Sequence, residues 1–250
     1  MRATAAECGV GFTEAEGFRD APQIREIVFL DTPDFAFYRS AFILRRRISY
    51  ESGFPTGDPE VVFKFRHPDQ NQATGLDVRP NLDGKYRIKF KAEALPLKDR
   101  IGGYRLLYSH NCQFGLSQTK ESDETSLATL TRVFPALASL RPEGDHVSLV
   151  NGGIVEEVLL PIGILDFGKG LLAKCDVSLW RTRGEHKSLV GEFAFQAKFD
   201  DRKSVGAKQK KRCADFYLAL QSAVADWLTL GVTKTAMVYR LNGAGPQNHE

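Results

Sequence analysis

Apolar and polar positions alternate with a period of two over much of this chain, the mark of strands with one covered face. Such runs occur at 24–30 (IREIVFL), 42–50, 61–67 and 85–92, with a weaker one at 103–108. They resume at 154–160, 163–167, 172–181 and 191–199, and 234–241 reads as a last strand. Gly-, Pro- and Asp-rich segments separate them, as hairpin connections do. Helical spacing is rarer. Thr32, Pro33 and Asp34 suit the N-cap, first position and first turn of a short helix reaching about Arg39. Leu127, Leu130, Phe134, Leu137 and Leu140 mark a helix within 126–141. The longest helical pattern runs from Cys213 through Phe216, Tyr217, Leu220, Val224 and Trp227 to Leu228, with Gly231 as its stop. Trp180 and Trp227 are expected in the core. Residues 1–22 show no firm period and are expected to be poorly ordered or the remnant of an element. Residues 242–250 read as a flexible tail, which leaves 24–241 as a single α+β domain.

Composition narrows the class. A chain of 250 residues, 42% hydrophobic, can bury one sizeable core. It has no apolar run of the length a membrane helix needs and no apolar stretch of the secretory type at its start. Cys8, Cys112, Cys175 and Cys213 lie far apart, with no CxxC pair and no histidine partner, so structural zinc is not expected. Reduced thiols and a cytoplasmic location are the expectation. The net charge is only +3, but residues 39–105 alone carry 14 Lys and Arg against 8 Asp and Glu. This concentration favours an anionic partner for the first half of the chain.

The faces of the basic strands sharpen that picture. Arg45 and Arg47 share a face, opposite Leu44, Arg46 and Ile48. Lys64 and Arg66 share one, opposite Phe63 and Phe65. Lys85, Arg87, Lys89, Lys91 and Glu93 lie opposite Tyr86, Ile88, Phe90 and Ala92. An ordinary amphipathic sheet with its charged side in water accounts for the alternation as well. Like charges facing one another across strands repel, however, and a polyanion between them would relieve that repulsion. Arginine grips phosphate oxygens with two donors, and lysine acts as a point charge. A closed or cupped antiparallel barrel would aim all these strands at one lumen, with helices on its apolar outside.

The stretch FLDTPDFAFYRSAFILRRR (29–47) resembles a segment of the CYTH proteins, also called triphosphate tunnel metalloenzymes. That family segment is a hydrophobic strand, Asp-Thr-Pro, a short helix and Leu-Arg-x-Arg. VVFKFR (61–66), CDVSLW (175–180), GEFAFQAKF (191–199) and LGVTKTAMVYRL (230–241) are similar to later family segments in the same order. The resemblance implies an eight-stranded antiparallel tunnel with helices packed outside, here with its first strand missing or degenerate. It implies Arg45, Arg47, Lys64, Arg66, Arg87, Lys89 and Lys234 as phosphate-facing cations. It also implies a Mg²⁺- or Mn²⁺-dependent triphosphatase or related phosphohydrolase, with Glu192, Asp176 and Asp166 as the metal ligands on offer.

The chain departs from that family at its carboxylates. The N-terminal Glu-x-Glu-x-Lys is absent: Glu7, Glu14 and Glu16 stand in no matching pattern. Ala194 and Gln196 share the face of Glu192 where further carboxylates are expected, Trp180 stands where the family has Asp, and VEEVLLPIGIL (155–165) carries no cation. Three readings follow. The first is a metal-dependent phosphohydrolase acting on a triphosphate or polyphosphate. The second is a metal-free, non-catalytic binder of a phosphorylated small molecule or polyphosphate. The third is a nucleic-acid-interacting protein using the basic sheet and Lys208, Lys210, Lys211 and Arg212 at the start of the long helix. No RNA-binding signature supports the third.

Overall fold

The protein is described here by a computed structural model covering residues 1–16, 22–119, 125–199, 204–243 and 245–246. One antiparallel sheet organises the fold. Its strands are β1 (Gly11–Glu14), β2 (Gln23–Asp31), β3 (Phe42–Glu51), β4 (Phe54–His67), β5 (Arg87–Pro96), β6 (Tyr104–Gly115), β7 (Ser148–Asp166), β8 (Leu172–Thr182) and β9 (Ser188–Ala197). Eight follow the order β5-β6-β4-β3-β2-β7-β8-β9, and β1 pairs with the end of β7. The helices are α1 (Arg2–Glu7), α2 (Ala36–Arg39), α3 (Gln70–Gly75), α4 (Leu127–Val133), α5 (Ala207–Ala223) and α6 (Lys234–Tyr239). No helix among the described residues is long and apolar enough to cross a membrane.

The architecture is α+β, and the sheet curls into a half-barrel of the kind the CYTH resemblance implies. Register shifts within the β2–β7, β3–β4, β7–β8 and β8–β9 pairs give the local bends that such curling needs. The two ends of the strand order approach each other. The charge of Lys198, just beyond β9, acts on Lys89 and Lys91 of β5. Among the described residues no backbone pairing joins β5 to β9, so the barrel expected as closed or cupped is cupped, a curled sheet with a seam. Helix α5 links the two ends of the sheet. Its Tyr217 hydroxyl donates to the Ala94 carbonyl (3.2 Å), Gln221 Nε2 donates to the Gly103 carbonyl (3.0 Å), and Phe216 packs on Phe195 (ring centroids 5.5 Å apart).

Three apolar clusters support the sheet. On the convex side, Leu44, Val61, Phe63, Phe65, Cys112 and Phe114 pack under Leu130, Val133, Phe134 and Leu137. Farther along that side, Ala173, Cys175 and Phe195 meet Phe216 and Leu220 of α5 and Ala5 of α1. The third cluster fills one end of the concave side: Ile27, Phe29, Ile43, Val155 and Trp180 meet Tyr38 of α2 and Val238 and Tyr239 of α6. This plug is why Trp180 is only 2% exposed.

Several elements differ from the sequence expectation. Residues 1–16 form α1 and β1; residues 17–21 lie outside the described residues. Gly163 makes room for β1, because a Cβ there would sit 2.2 Å from the Thr13 carbonyl oxygen. The two strands expected at 154–160 and 163–167 are one long β7, which accommodates Pro161 at a register shift. Pro135 ends α4 and starts a 3₁₀ turn at Pro135–Ser139. The long helix stops at Ala223, and Trp227 lies beyond it in a 3₁₀ turn, 90% exposed and not in the core. The last expected strand, 234–241, is helix α6, whose Ala236 N–H donates to the Thr233 hydroxyl (3.1 Å). Of the expected tail, 244 and 247–250 lie outside the described residues.

Candidate anion site on the concave face

The Asp-Thr-Pro-Asp turn builds the plugged end. Asp31 is buried, and its carboxylate accepts the N–H groups of Phe37 (3.0 Å), Tyr38 (3.0 Å) and Thr32 (2.8 Å) and the Tyr239 hydroxyl (2.8 Å). Burial pushes its pKa up, while these four donors pull it down. The Thr32 hydroxyl accepts the Ala36 N–H (2.8 Å). Asp31 thus ties β2, α2 and α6 together, and Tyr38 stacks on Tyr239 with ring centroids 3.9 Å apart.

Strand register decides what lines the rest of that face. Ile27 lies opposite Arg47 and Phe29 opposite Arg45, so the two arginines face the concave side together with Arg25. Arg45 pairs with Val62, Arg47 with Glu60, and Ile43 with Lys64, which brings Glu60, Lys64 and Arg66 to the same side. Asn111 and Ser109 of β6 follow, and then Lys89 and Lys91 of β5, with Arg87 and Glu93. From the other direction come Glu157 of β7, Trp180, Ser178 and Asp176 of β8, and Glu192 of β9. Arg46 falls on the convex side, opposite Val28 and Val61.

All seven cations expected to face phosphate therefore share one side of the sheet, but they are not equivalent. Arg47 pairs with Glu60, whose other oxygen is 3.8 Å from Arg87. Lys64 Nζ and Arg66 Nη2 share the Glu93 carboxylate at 3.2 and 3.1 Å. The Ser109 hydroxyl donates to that carboxylate at 2.9 Å. Burial opposes ionisation of Glu93, yet Lys64 and Arg66 outweigh it and hold its pKa well below the usual carboxylate range. Lys64 bears the opposite stress: burial, then Arg66, bring its pKa down to about 7 against the pull of Glu93. Arg45 is lowered to about 10 by burial and by Arg47. Its Nε is buried without a hydrogen-bond partner. Lys89 and Lys91 are also lowered, first by burial; Arg87 and Lys198 add to this at Lys89, and Arg45, Arg47 and Lys198 at Lys91.

The acidic part of the face is occupied by cations of the same chain. Arg25 pairs with Glu157, which also accepts the Trp180 indole N–H (2.9 Å). Lys234, at the start of α6, lies 2.6 Å from Glu192 and 3.6 Å from Glu157. It donates to Ser178 (3.2 Å) and sits 4.9 Å from the centre of the Trp180 ring. Asp176 has its pKa raised, first by burial and then by Glu157. Asp166 sits at the β7–β8 turn, where it accepts the Gly168 N–H (2.7 Å).

Mg²⁺ and Mn²⁺ require several oxygen ligands in near-octahedral array. Among the described residues no group of three or more His, Cys, Asp and Glu side chains could hold a metal ion. Of the three carboxylates expected as metal ligands, Glu192 is engaged by Lys234 and Asp166 accepts a backbone N–H at the β7–β8 turn, which leaves Asp176. This donor set does not fit the metal that the family resemblance implies.

Sequence reasoning overlooked Arg25, Glu157 and Glu93 as partners. Glu93 was visible on the cationic face of its strand, and alternation through IREIVFLD puts Arg25 on the side of Asp31. Glu157 had no such signal, because its facing depends on the register of β7 against β2.

No family model matches the chain, and no curated protein matches it. Solved structures do align over most of its length. One is a Hippeastrum protein described as a candidate adenylyl cyclase with a dominant triphosphatase activity: 10% identity, TM-score 0.42, covering 90% of this chain and 85% of that one. Another is a Pyrococcus horikoshii protein: 11% identity, TM-score 0.34, covering 87% and 82%. A third is a candidate adenylate cyclase from Bacillus halodurans: 12% identity, TM-score 0.33, covering 93% and 86%.

Proposed function

We propose that the concave face binds a phosphorylated small molecule or polyphosphate without a metal ion, through Arg45, Lys64, Arg66, Arg87 and Lys89, with Arg47 beside them. The observation that carries this reading is the electrostatic imbalance at Arg45. A buried guanidinium has an Nε without an acceptor, and Lys64 and Arg66 nearby share one carboxylate. A buried donor left without an acceptor costs about 1–3 kcal/mol, and the attraction of Glu157 and Glu60 offsets only part of the burial that lowers Arg45. Phosphate oxygens supply the missing acceptors, and several phosphates in a row match a cluster drawn from β3, β4 and β5. Lys234 belongs to the other end of the site, where it neutralises Glu192 and Glu157.

Titration calorimetry with tripolyphosphate, run in Mg²⁺ and again in EDTA, with phosphate release followed in parallel, tests this. The expected result is binding that survives EDTA. Phosphate release that requires Mg²⁺ and is lost in Glu192→Ala would replace this reading with that of a metal-dependent phosphohydrolase.

A further inference from the structure

A neutral stripe runs through the cationic face. On β6, Ser109, Asn111 and Gln113 stand two residues apart and share the concave side. Asn111 lies in register with Lys64 of β4 on one side and with Lys89 of β5 on the other. Ser109 lies likewise between Arg66 and Lys91, and Gln113 lies beside Arg87. Two rows of cations are thus separated by two strand spacings, about 10 Å, with hydroxyl and amide groups between them. Asn111 is 2% exposed, and its side-chain oxygen has no hydrogen-bond partner. The bonds around it fix which way the amide points. The Ser109 hydroxyl gives its one proton to Glu93 (2.9 Å), so it accepts from Asn111 Nδ2 (3.4 Å) and leaves Oδ1 on the other side. Both flanking lysines are engaged elsewhere, Lys64 with Glu93 (3.2 Å) and Lys89 with Gln113 Oε1 (2.7 Å). A buried acceptor of this kind nearly always has a donor. A phosphate oxygen cannot serve, since both atoms are acceptors; an O–H or N–H is needed.

We infer that the ligand is a phosphorylated polyol, whose phosphates engage the cations of β4 and β5 and one of whose hydroxyls donates to Asn111 Oδ1. This rests on the phosphate-binding reading above and narrows it. A polyphosphate without a hydroxyl leaves the Asn111 oxygen unpaired and sets its own oxygens against it. A hydroxyl supplies the donor and, unlike an ammonium group, adds no positive charge to a face that already carries an excess. Phosphates held apart on a carbon skeleton, with hydroxyls between them, repeat the order cation, neutral group, cation that runs from Lys64 through Asn111 to Lys89.

The probes are inositol trisphosphate and a cyclohexane trisphosphate that carries the same phosphates and no hydroxyl. Each is titrated into the whole protein in EDTA, by calorimetry, beside tripolyphosphate. The expected result is that both rings bind, the hydroxyl-bearing one about tenfold tighter, which is the worth of one good hydrogen bond. In Asn111→Leu, a near-isosteric apolar side chain, that preference should vanish. Equal affinity of the native protein for the two rings, or binding of tripolyphosphate alone, overturns the polyol inference and leaves the phosphate-binding reading intact. A preference that persists in Asn111→Leu overturns the assignment of the hydroxyl to Asn111. The comparison of the two rings needs only the native protein, so it decides even if the variant does not fold. Failure of both rings and of tripolyphosphate to bind overturns both readings.

Discussion

Adjacent arginines on β3 have different fates, because successive side chains leave a strand on opposite sides. Arg45 enters the concave cluster, whereas Arg46 lies against the convex apolar layer. Replacing Arg45 with Gln should weaken tripolyphosphate binding by about 1.5–3 kcal/mol, the usual worth of hydrogen bonds to a charged group. Arg46→Gln should change binding little, and calorimetry on the two variants checks the contrast. Lys64 gives a pH-dependent prediction. Its folded-state pKa of about 7 lies below the ordinary 10.5, so between these values the unfolded chain binds more protons than the folded one. Its burial then costs stability at and below neutral pH, and that cost fades as pH rises toward 10.5. The stability of the native protein should gain up to about 1.4 kcal/mol per pH unit in this window relative to Lys64→Met. Urea titrations at several pH values measure the difference.

Helices α2 and α6 together form the plug, and Asp31 is their shared acceptor. Tyr239→Phe removes the only side-chain donor on that carboxylate that comes from α6 and leaves the ring stacking intact. A loss of about 1–2 kcal/mol in urea unfolding, with an unchanged m-value, is expected. Trp227→Ala should fall within about 0.5 kcal/mol of the parent, since the indole is 90% exposed. That outcome would be surprising from the sequence, where Trp227 continues the apolar spacing of α5. The spacing misleads because the helix ends at Ala223 and the chain changes direction before Trp227. The same competition between local pattern and packing explains α6. The run LysThrAlaMetValTyr alternates well enough for a strand, but a Thr233 cap and the Tyr38–Tyr239 stack favour a helix there.

At the scale of the whole molecule, the cationic face is a store of repulsion. Arg45, Arg47, Lys64, Arg66, Lys89, Lys91 and Lys198 act on one another across strands from both ends of the sheet. A polyanion bound there relieves that repulsion in the folded state only. Tripolyphosphate at 100 times its Kd should therefore raise the unfolding free energy by about 2.7 kcal/mol, and added EDTA should not reverse the gain. Thermal melts at graded ligand concentration, with and without EDTA, provide the measurement. The stabilisation should shrink with added NaCl at the exposed rim formed by Arg87 and Lys89 more than at the buried Arg45.

By itself, the sequence determined which residues share a strand face, because alternation is a property of the extended backbone alone. From it came the strands, the α+β class and the grouping of Arg45 and Arg47, of Lys64 and Arg66, and of Arg87 and Lys89. What those faces look at was decided only by the tertiary structure. Pairing β2 with β7 rather than leaving it at an edge brings Glu157 to Arg25. Pairing β5 with β6 brings Glu93 to Lys64 and Arg66, and folding back α6 hands Glu192 to Lys234. Each of these partners lies far from its counterpart in the chain, and a carboxylate's availability to a metal depends on whether such a distant cation reaches it first. The sequence could therefore reveal a cationic face, but not that its carboxylates were already spoken for.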